Sequence, residues 1–465
     1  MSDYDVVVIG AGPGGYVCAI RAAQLGKKVA IVEREWLGGV CLNVGCIPSK
    51  ALLKNADVAY TLRERGQEFG FEVQGLKLDF GAAVKRSRRI ANRLSKGVNF
   101  LMRKNKIDIH MGTAKFIDTN RLTATGEDGE TTTLQAKNTV IATGASPMMF
   151  PGVDIDGKRV VTYREAILQE QLPKSVVIIG AGAIGLEFAT IWSSYGVEVT
   201  IVEMLPRIAP LEDEEVSVEL TKAFNKRGIQ VLSGTKVEGI EVQEAGVKVK
   251  LAGSNGELVL DTEQALVATG FTPNTTGLGL EEIGVALSEK GLVEIDEHMA
   301  TNVASVWAIG DVTGKLMLAH VASAMGIVCA ENIAGIETVS LDYEMMPRGT
   351  YCQPQVASFG LTEAQARERG YKVKVGRFPF RANGKALGLG DYEGWVKLVI
   401  EAEYGEILGG HLIGPEVTEL LPELTLAQMM ELTAAEIGRN VHTHPTLSEV
   451  VMEAAHNIEG QAINI

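Results

Sequence analysis

The stretch Asp5-Val-Val-Val-Ile-Gly-Ala-Gly-Pro-Gly-Gly15 decides the fold of this chain. Its β-branched residues predict a strand, and the spacing Gly10-x-Gly12-x-x-Gly15 predicts a tight turn that opens a helix. The first glycine permits the turn, the second lets the backbone approach a pyrophosphate, and the third lets the helix pack on the strand. A second predicted strand ends at Glu33, where a carboxylate accepts hydrogen bonds from ribose hydroxyls. The stretch therefore predicts a dinucleotide-binding unit.

The same pattern recurs 170 residues further along the chain. Gly180, Gly182 and Gly185 repeat the turn, and Glu203 repeats the acid at the same offset. Each copy also closes on an apolar strand followed by Ala-Thr-Gly, at residues 142–144 and 268–270. The alternative, two fortuitous glycine turns, requires the same coincidence twice. Two complete fingerprints predict two dinucleotides, typically a flavin and a nicotinamide between which electrons pass. Because a carboxylate repels a 2′-phosphate, Glu203 favours NAD over NADP at the second site.

Composition limits the class of protein. The 465 residues suggest about three domains. The chain has 44 basic and 58 acidic residues, and this net charge of −14 argues against nucleic acid as a partner. No apolar stretch approaches the ~20 residues that span a bilayer, and a strand predicted at the amino end leaves no room for a targeting peptide. Five cysteines favour a reducing compartment, so we expect a cytoplasmic protein. Three of them, Cys18, Cys329 and Cys352, are isolated and are predicted to be small core residues.

We expect an α/β protein with two Rossmann-like dinucleotide-binding domains, for FAD and NAD, and a C-terminal α+β dimerisation domain. Its predicted segments are 1–150 for the first part of the FAD-binding domain, 151–270 for the NAD-binding domain, 271–345 for the second part of the FAD-binding domain, and 346–465 for the interface domain. In the last segment the pattern predicts strands near Val356 and over 396–400, and one helix over 416–435.

The stretch Gly38-Gly-Val-Cys41-Leu-Asn-Val-Gly-Cys46-Ile-Pro-Ser-Lys50 is the most informative for chemistry. Cysteines five residues apart lie about 140° apart on a regular helix, so a bridge between them requires local distortion. Asn43, Gly45 and Pro48 favour such a distortion. The bridge would be reducible, and a helix N-terminus would stabilise a thiolate. The alternatives are two buried cysteines, or a zinc site, for which a second Cys/His pair at ligand spacing is missing. We therefore expect no metal.

These motifs, with Ala308-Ile-Gly-Asp311 and His442-Thr-His-Pro-Thr-Leu-Ser-Glu449, resemble the flavin-dependent pyridine nucleotide–disulfide oxidoreductases. The resemblance extends from Tyr4 to beyond Glu453, essentially the whole chain. Within the family, Cys-Ile-Pro-Ser-Lys and His-Pro-Thr-Leu-Ser-Glu are more similar to the enzymes that act on lipoyl groups than to the glutathione reductases. Two departures are visible, since Val40 and Phe271 stand where the family commonly has Thr and Arg.

The resemblance implies catalytic roles for four residues. Cys46 is the thiol beside the flavin, and Cys41 is the thiol that exchanges with substrate. His444 is the acid/base, because a histidine near neutral pKa can take a thiol proton and return it. Glu449 orients the ring of His444 and raises its basicity. Taken alone, either His442 or His444 would more often be a structural hydrogen-bonding residue.

The resemblance also implies the cofactor contacts. Lys50 lies near the isoalloxazine and pairs with Glu187. The expected FAD contacts are Gly10, Gly12, Gly15, Glu33, Lys50, Ala114, Thr143, Gly144, Asp311 and Ala319. The expected NAD contacts are Gly180, Gly182, Gly185, Glu203, Val237 and Gly270.

The activity that the resemblance implies is oxidation of a protein-bound dihydrolipoyl group through a Cys41–Cys46 disulfide and FAD, with reduction of NAD⁺ to NADH. The partner would be the lipoyl domain of a 2-oxoacid dehydrogenase or glycine cleavage complex. The resemblance further implies an obligate homodimer in which His444 serves the disulfide of the other subunit. Two alternatives stay open: a glutathione reductase-like or other disulfide reductase of the same family, and a flavoprotein kept for NADH sensing or interaction.

Overall fold

The structure, a computed structural model, describes residues 2–149, 153–253 and 256–465. The chain divides into two compact units. The first comprises Met1–Ala51, Gly81–Met148 and Gly270–Tyr343, and the second comprises Leu52–Phe80, Met149–Thr269 and Glu344–Ile465. The predicted domain boundary between residues 150 and 151 lies outside the described residues. The mixed sheets and helices confirm the predicted α/β fold class.

The described strands are β1 (Ser2–Ile9), β2 (Val29–Glu33), β3 (Asp108–Met111), β4 (Thr113–Phe116), β5 (Arg121–Thr125), β6 (Thr131–Ile141), β7 (Ala145–Pro147), β8 (Val160–Val161), β9 (Ser175–Ile179), β10 (Glu198–Val202), β11 (Gln230–Leu232), β12 (Lys236–Gln243), β13 (Gly246–Gly253), β14 (Gly256–Thr262), β15 (Gln264–Val267), β16 (Phe271–Pro273), β17 (Val306–Ala308), β18 (Arg348–Thr350), β19 (Gln355–Gly360), β20 (Val373–Pro379), β21 (Trp395–Glu401) and β22 (Ile407–Gly414).

The described helices are α1 (Pro13–Gln24), α2 (Gly39–Asn43), α3 (Cys46–Glu64), α4 (Phe80–Lys104), α5 (Tyr163–Ala166), α6 (Ala183–Ser194), α7 (Glu214–Lys226), α8 (Ala319–Ala334), α9 (Glu363–Glu368), α10 (Gly384–Leu389), α11 (Val417–Met429), α12 (Ala434–Arg439) and α13 (Glu449–Asn457), with 3₁₀ turns at Gly310–Thr313 and Phe380–Ala382. Within these described ranges, no helix is long and apolar enough to cross a membrane.

The first unit is built on a seven-stranded sheet with the order β3-β2-β1-β6-β5-β4, in which β17 also pairs with β6. Strands β3, β2, β1, β6 and β17 run parallel, as a dinucleotide-binding sheet requires. The turns that follow β1 and β6 lie side by side, because Ile9 pairs with Ile141 at the carboxyl ends of these strands. The core beneath the sheet is formed by buried side chains such as Val7, Ile141 and Ala308.

The second unit contains a parallel sheet of the order β11-β10-β9-β15-β8. Its register repeats that of the first unit, since Ile179 pairs with both Val202 and Val267 at the ends of the strands. The same unit also holds the antiparallel sheets β12-β13-β14 and β18-β19-β22-β21-β20. The last of these sheets has its own buried core, which includes Phe359, Phe378 and Val396.

The prediction of one helix over residues 416–435 is wrong. Helix α11 ends at Met429, and Glu431 has a φ of 56°, in the left-handed region that interrupts a helix. A new helix, α12, starts after Thr433, whose side chain forms a capping box with Glu436. The apolar spacing runs across this break because both helices bury side chains such as Ala427 and Ile437 in one core.

The three cysteines outside the predicted redox pair are buried, as expected, but two of them are not isolated. Cys18 on α1 and Cys329 on α8 are fully buried, and burial and then a hydrogen bond with Cys18 raise the pKa of Cys329. The two helices approach closely here, since a Cβ built on Gly326 would lie 3.1 Å from the backbone nitrogen of Cys18. The 310 residues between the two cysteines hide this contact from the sequence pattern.

Candidate active site

The first glycine of each fingerprint is required by a close approach of two backbone turns. Gly10 and Gly180 have φ angles of +103° and +105°, which side-chain-bearing residues rarely adopt. A Cβ on Gly10 would lie 2.3 Å from the carbonyl oxygen of Ala142, and one on Gly180 would lie 2.4 Å from that of Ala268. The two fingerprints therefore form the same structure twice, each against its own Ala-Thr-Gly turn.

The third and second glycines have different functions. A Cβ on Gly15 would lie 1.9 Å from the carbonyl oxygen of Gly10, which explains the tight packing of α1 on β1. Gly12, in contrast, has open space at its Cβ position and is the N-cap of α1, where no described side chain caps the helix. Gly182 and Gly185 repeat both properties at the start of α6. Free N–H groups beside an open position fit the pyrophosphate of a dinucleotide.

The two predicted ribose acids are buried and hold the glycine turns in place. Glu33 Oε2 accepts from the N–H of Ala11 at 2.7 Å, and its Oε1 accepts from the N–H of Glu35 at 2.8 Å. Glu203 accepts in the same way from Ala181, at 2.8 Å. A carboxylate offers about four acceptor positions, so each acid retains capacity for ribose hydroxyls. The residues present thus fit one dinucleotide in each unit.

Asp311 lies in the 3₁₀ turn that follows β17, in the first unit. Burial raises the pKa of its carboxyl group to about 6. Within the described residues this carboxylate accepts no side-chain or backbone hydrogen bond, so it is an acceptor that a hydroxyl-bearing ligand can satisfy. This property fits the predicted contact with the ribityl chain of FAD.

The remaining predicted FAD residues lie in the same unit. Ala114 is buried in β4, and Ala319 is the first residue of α8, a helix whose N-terminus no described side chain caps. The hydroxyl of Thr143 donates to the carbonyl of Asn274 at 2.7 Å, and Asn274 Nδ2 donates back to the carbonyl of Thr143 at 2.9 Å. Gly144 follows with a φ of 69°. No local pattern predicts the position of Asn274, because it lies 131 residues from the turn that it contacts.

The predicted redox pair lies directly on the first glycine turn. Cys41 is in the short helix α2, and Cys46 is the first residue of α3. A Cβ on Gly39 would lie 2.6 Å from the Cα of Gly12, so only glycine allows the two loops to touch. All five cysteines are free thiols in the structure, and the disulfide between Cys41 and Cys46 stays a prediction.

The two thiols are hydrogen-bonded to each other. A hydrogen bond with Cys46 is the main reason why the pKa of Cys41 is raised, followed by burial and the charge of Cys46, while the positive charge of Lys50 lowers it. When one proton leaves the pair, the other is therefore held more tightly on Cys41. The position of Cys46 at the N-terminus of α3 favours the thiolate there.

The predicted acid/base pair is also formed. His444 Nδ1 and Glu449 Oε1 are 2.9 Å apart, and Glu449 Oε2 accepts from the N–H of Thr446 at 2.8 Å. Burial opposes ionisation of Glu449, but the hydrogen bonds from Thr446 and His444 outweigh it and lower the pKa of this carboxyl. The side chain of His444 is 79% exposed in the single chain. His442, in contrast, is held through both ring nitrogens, by Asn440 and Glu423 at 2.9 Å.

The other predicted residues lie in their own units. Glu187 is buried on α6 and accepts from the N–H of Tyr351 at 3.1 Å. Val237 packs at the edge of the core beside the parallel sheet of the second unit. Gly270, with a φ of +127°, belongs to the first unit, and the next residue, Phe271, starts β16. The pairing of Lys50 with Glu187, and the NAD contacts of Val237 and Gly270, stay predictions.

Comparisons with known proteins agree with this geometry. The family described as "Pyridine nucleotide-disulphide oxidoreductase" matches residues 4–326, and the dimerisation domain of that family matches residues 346–455. The chain is similar to a protein of Mycobacterium leprae named dihydrolipoyl dehydrogenase, with 54% identity over 468 residues and complete coverage of both chains. It is also similar to the protein of that name from Bacillus subtilis, with 43% identity and coverage of 100% and 99%.

Solved structures give the same result. LpdA from Mycobacterium tuberculosis has a TM-score of 0.91 and 26% identity, with 98% of this chain and 100% of that chain covered. The HOCl-induced flavoprotein disulfide reductase RclA from Escherichia coli, as its Cu(II) complex, has a TM-score of 0.88 and 26% identity, with coverage of 98% and 99%.

The open positions at Gly12 and Gly182 predict separable defects. Neither Gly12→Ala nor Gly182→Ala introduces a clash within the described chain, so both variants should fold. Gly12→Ala should lose flavin, whereas Gly182→Ala should retain flavin and raise the KM for NAD⁺ by about tenfold or more, because a methyl group there displaces a pyrophosphate. Flavin absorbance per chain and steady-state kinetics measure the two effects. Equal loss of flavin in both variants would contradict the assignment of the two sites.

Burial of Asp311 predicts a pH dependence of apoprotein stability. The folded-state pKa of about 6 exceeds the ordinary 3.8, so this group stabilises the fold only at low pH, and that contribution is lost as the pH rises through 6. Asp311→Asn stays neutral, so its apoprotein should lose less free energy of unfolding than the unmodified chain between about pH 4 and pH 8. Urea denaturation at both pH values tests this, with the exposed Asp154→Asn as control. If the free energy of unfolding changes equally with pH in all three proteins, burial of Asp311 does not destabilise the folded apoprotein.

Proposed function

The chain belongs to the pyridine nucleotide–disulphide oxidoreductase family, whose members use FAD and NAD, and from this premise we propose that it oxidises a protein-bound dihydrolipoyl group with NAD⁺. The observation that carries the proposal is the hydrogen-bonded pair Cys41 and Cys46 on the loop that touches the Gly12 turn. A reactive dithiol held against a dinucleotide turn is the arrangement that electron transfer from thiols to a flavin needs. The full-length relatives named dihydrolipoyl dehydrogenase support lipoamide as the substrate class.

The thiol chemistry starts from the oxidised pair. A substrate thiolate attacks Cys41 Sγ, a mixed disulfide forms, and Cys46 leaves as a thiolate that the N-terminus of α3 stabilises. The second substrate thiol then gives up its proton and attacks the substrate sulfur of the mixed disulfide, so that the cyclic substrate disulfide forms and Cys41 leaves. Two electrons thus move from the substrate to the cysteine pair, and the two protons stay on protein bases or enter solvent. When bound, FAD accepts this electron pair and NAD⁺ is its final acceptor.

His444 is the base for the substrate proton. Because Glu449 accepts at Nδ1, this carboxylate fixes the tautomer of neutral His444 that has its proton on Nδ1 and its free lone pair on Nε2. Nε2 can therefore take a proton from the substrate thiol and return one to Cys41. The lowered pKa of Glu449 keeps the carboxylate charged, which stabilises the imidazolium that forms.

We further propose that the working molecule is a homodimer in which His444 serves the cysteine pair of the other subunit. The match of residues 346–455 to a dimerisation domain supports the dimer. The exposure of the His444 side chain, despite its hydrogen bond to Glu449, supports a function at a surface that a second chain completes. The lipoyl domain of a 2-oxoacid dehydrogenase or glycine cleavage complex stays the predicted partner, and the cytoplasm stays the predicted location.

Substitution of the pair and its base tests the reaction. Cys41→Ser and Cys46→Ser should each reduce NADH formation from dihydrolipoamide to background, because neither variant can form the disulfide. His444→Gln should reduce kcat by about 10²–10⁴-fold, the contribution of general acid–base catalysis, and Glu449→Gln should reduce it less. His442→Gln is the matched control. Normal activity of either serine variant would exclude the mechanism, and faster reduction of oxidised glutathione than of lipoamide would favour the glutathione reductase-like alternative.

Hybrid dimers test whether the sites are shared. Inactive Cys46→Ser and inactive His444→Gln chains, unfolded together and refolded in equal amounts, should form hybrids in which one of the two sites has an intact cysteine pair and an intact histidine. The mixture should then recover about a quarter of the normal activity, since half of the dimers are hybrids with one working site. Each variant refolded alone serves as control. No recovery, together with a dimeric mass, would place each complete site within one chain.

A further inference from the structure

Helix α4 carries an unusual charge distribution for this chain. It contains eight basic residues, and no acidic residue occurs anywhere in its 25 positions, although the protein as a whole has a net charge of −14. Six of the basic residues are exposed, and five of these recur at intervals of four, four, three and seven positions, close to whole helical turns. We call them the basic stripe: Lys85, Arg89, Arg93, Lys96 and Arg103.

The basic stripe lies on one face of α4 over about 27 Å, because each residue adds ~1.5 Å of rise. Within the described residues, no carboxylate forms an ion pair with Arg89, Arg93, Lys96 or Arg103. Like charges one turn apart destabilise a helix. At these four positions the described chain, which belongs to a protein with 58 acidic residues, places no carboxylate that compensates the repulsion.

Residues on the flanks of α4, beside the basic stripe, contact the segment around Cys41 and Cys46. Ser95 Oγ lies 2.9 Å from both the carbonyl oxygen of Leu37 and Asn43 Oδ1, so its hydroxyl proton is shared between these two acceptors. The guanidinium of Arg88 donates to the carbonyl of Asn43, midway between the two reactive cysteines, and Arg86 donates to the carbonyl of Ala51 at 3.2 Å. The basic stripe is therefore fixed to the segment that carries Cys41 and Cys46, within one compact unit.

We propose that the basic stripe docks an acidic surface of the protein domain that carries the dithiol substrate. This inference rests on the proposed function, because it requires a substrate attached to a protein. A substrate group that reaches Cys41 brings its carrier close to α4, and a row of cations there attracts a carboxylate-rich carrier that the rest of this acidic chain repels. Complementary charge of this kind increases the association rate and fixes the orientation of the carrier.

The test compares a free with a protein-bound substrate. The variant Arg89→Glu/Arg93→Glu/Lys96→Glu should lower kcat/KM for a dihydrolipoyl domain at least tenfold, mainly through KM, and should leave kcat/KM for free dihydrolipoamide within twofold. Added salt should lower kcat/KM for the domain in the unmodified chain and have little effect in the variant. Arg89→Lys/Arg93→Lys, which preserves the charge, should behave as the unmodified chain.

The matched control reverses three exposed lysines of equal charge elsewhere, in Lys115→Glu/Lys158→Glu/Lys290→Glu, and should have normal kinetics with both substrates. Equal losses with free and bound substrate, or no loss with the bound one, would overturn the docking proposal. Binding of the stripe to anionic lipid vesicles or duplex DNA, with unchanged kinetics toward the domain, would also overturn it. Failure of the proposed function is distinguishable, because the unmodified chain would then not oxidise free dihydrolipoamide.

Discussion

The structure depends on two positions in each dinucleotide unit at which only glycine fits, because a Cβ there would clash with the backbone. Because Gly10 and Gly15 have no Cβ, a strand, a helix and a neighbouring turn can meet at this point. A Cβ on Gly10 would lie 2.3 Å from the carbonyl oxygen of Ala142, and one on Gly15 would lie 1.9 Å from that of Gly10. These contacts set the angle at which α1 leaves the sheet, and they aim its N-terminus at an open position beside Gly12. The same geometry at Gly180 and Gly185 shows that one local solution to backbone packing forms both nucleotide units.

The buried glutamates connect this packing with ligand recognition. Glu33 closes the turn through Ala11, and Glu203 closes its turn through Ala181. Each carboxylate therefore stabilises the empty turn and keeps acceptor positions for a ribose. This double use explains why the acid recurs at a fixed distance from the glycines in both copies: a shift of one residue would move the carboxylate to the other face of its strand.

The sequence predicts features that depend on short-range spacing, and it fails where distant segments meet. The two fingerprints, their acids and the His444–Glu449 pair lie within short segments, so each pattern specifies its own geometry. Two contacts join segments more than 130 residues apart, and no local pattern predicts them. They are the contact of Cys18 with Cys329 and the two hydrogen bonds between Thr143 and Asn274. The break between α11 and α12 was missed for a different reason, because both helices bury the same face in one core.

The contact between Gly39 and Gly12 has an evolutionary consequence. It joins the loop that carries the reactive cysteines to the turn that receives a pyrophosphate, with no side chain between them to absorb a change. A side chain at Gly39 would meet the backbone of Gly12, so a mutation at Gly39 alters both loops at once. Natural selection cannot adjust the affinity for the nucleotide and the alignment of the thiols independently at this point. Substitutions here should be strongly epistatic, and the two loops should evolve as one inherited module.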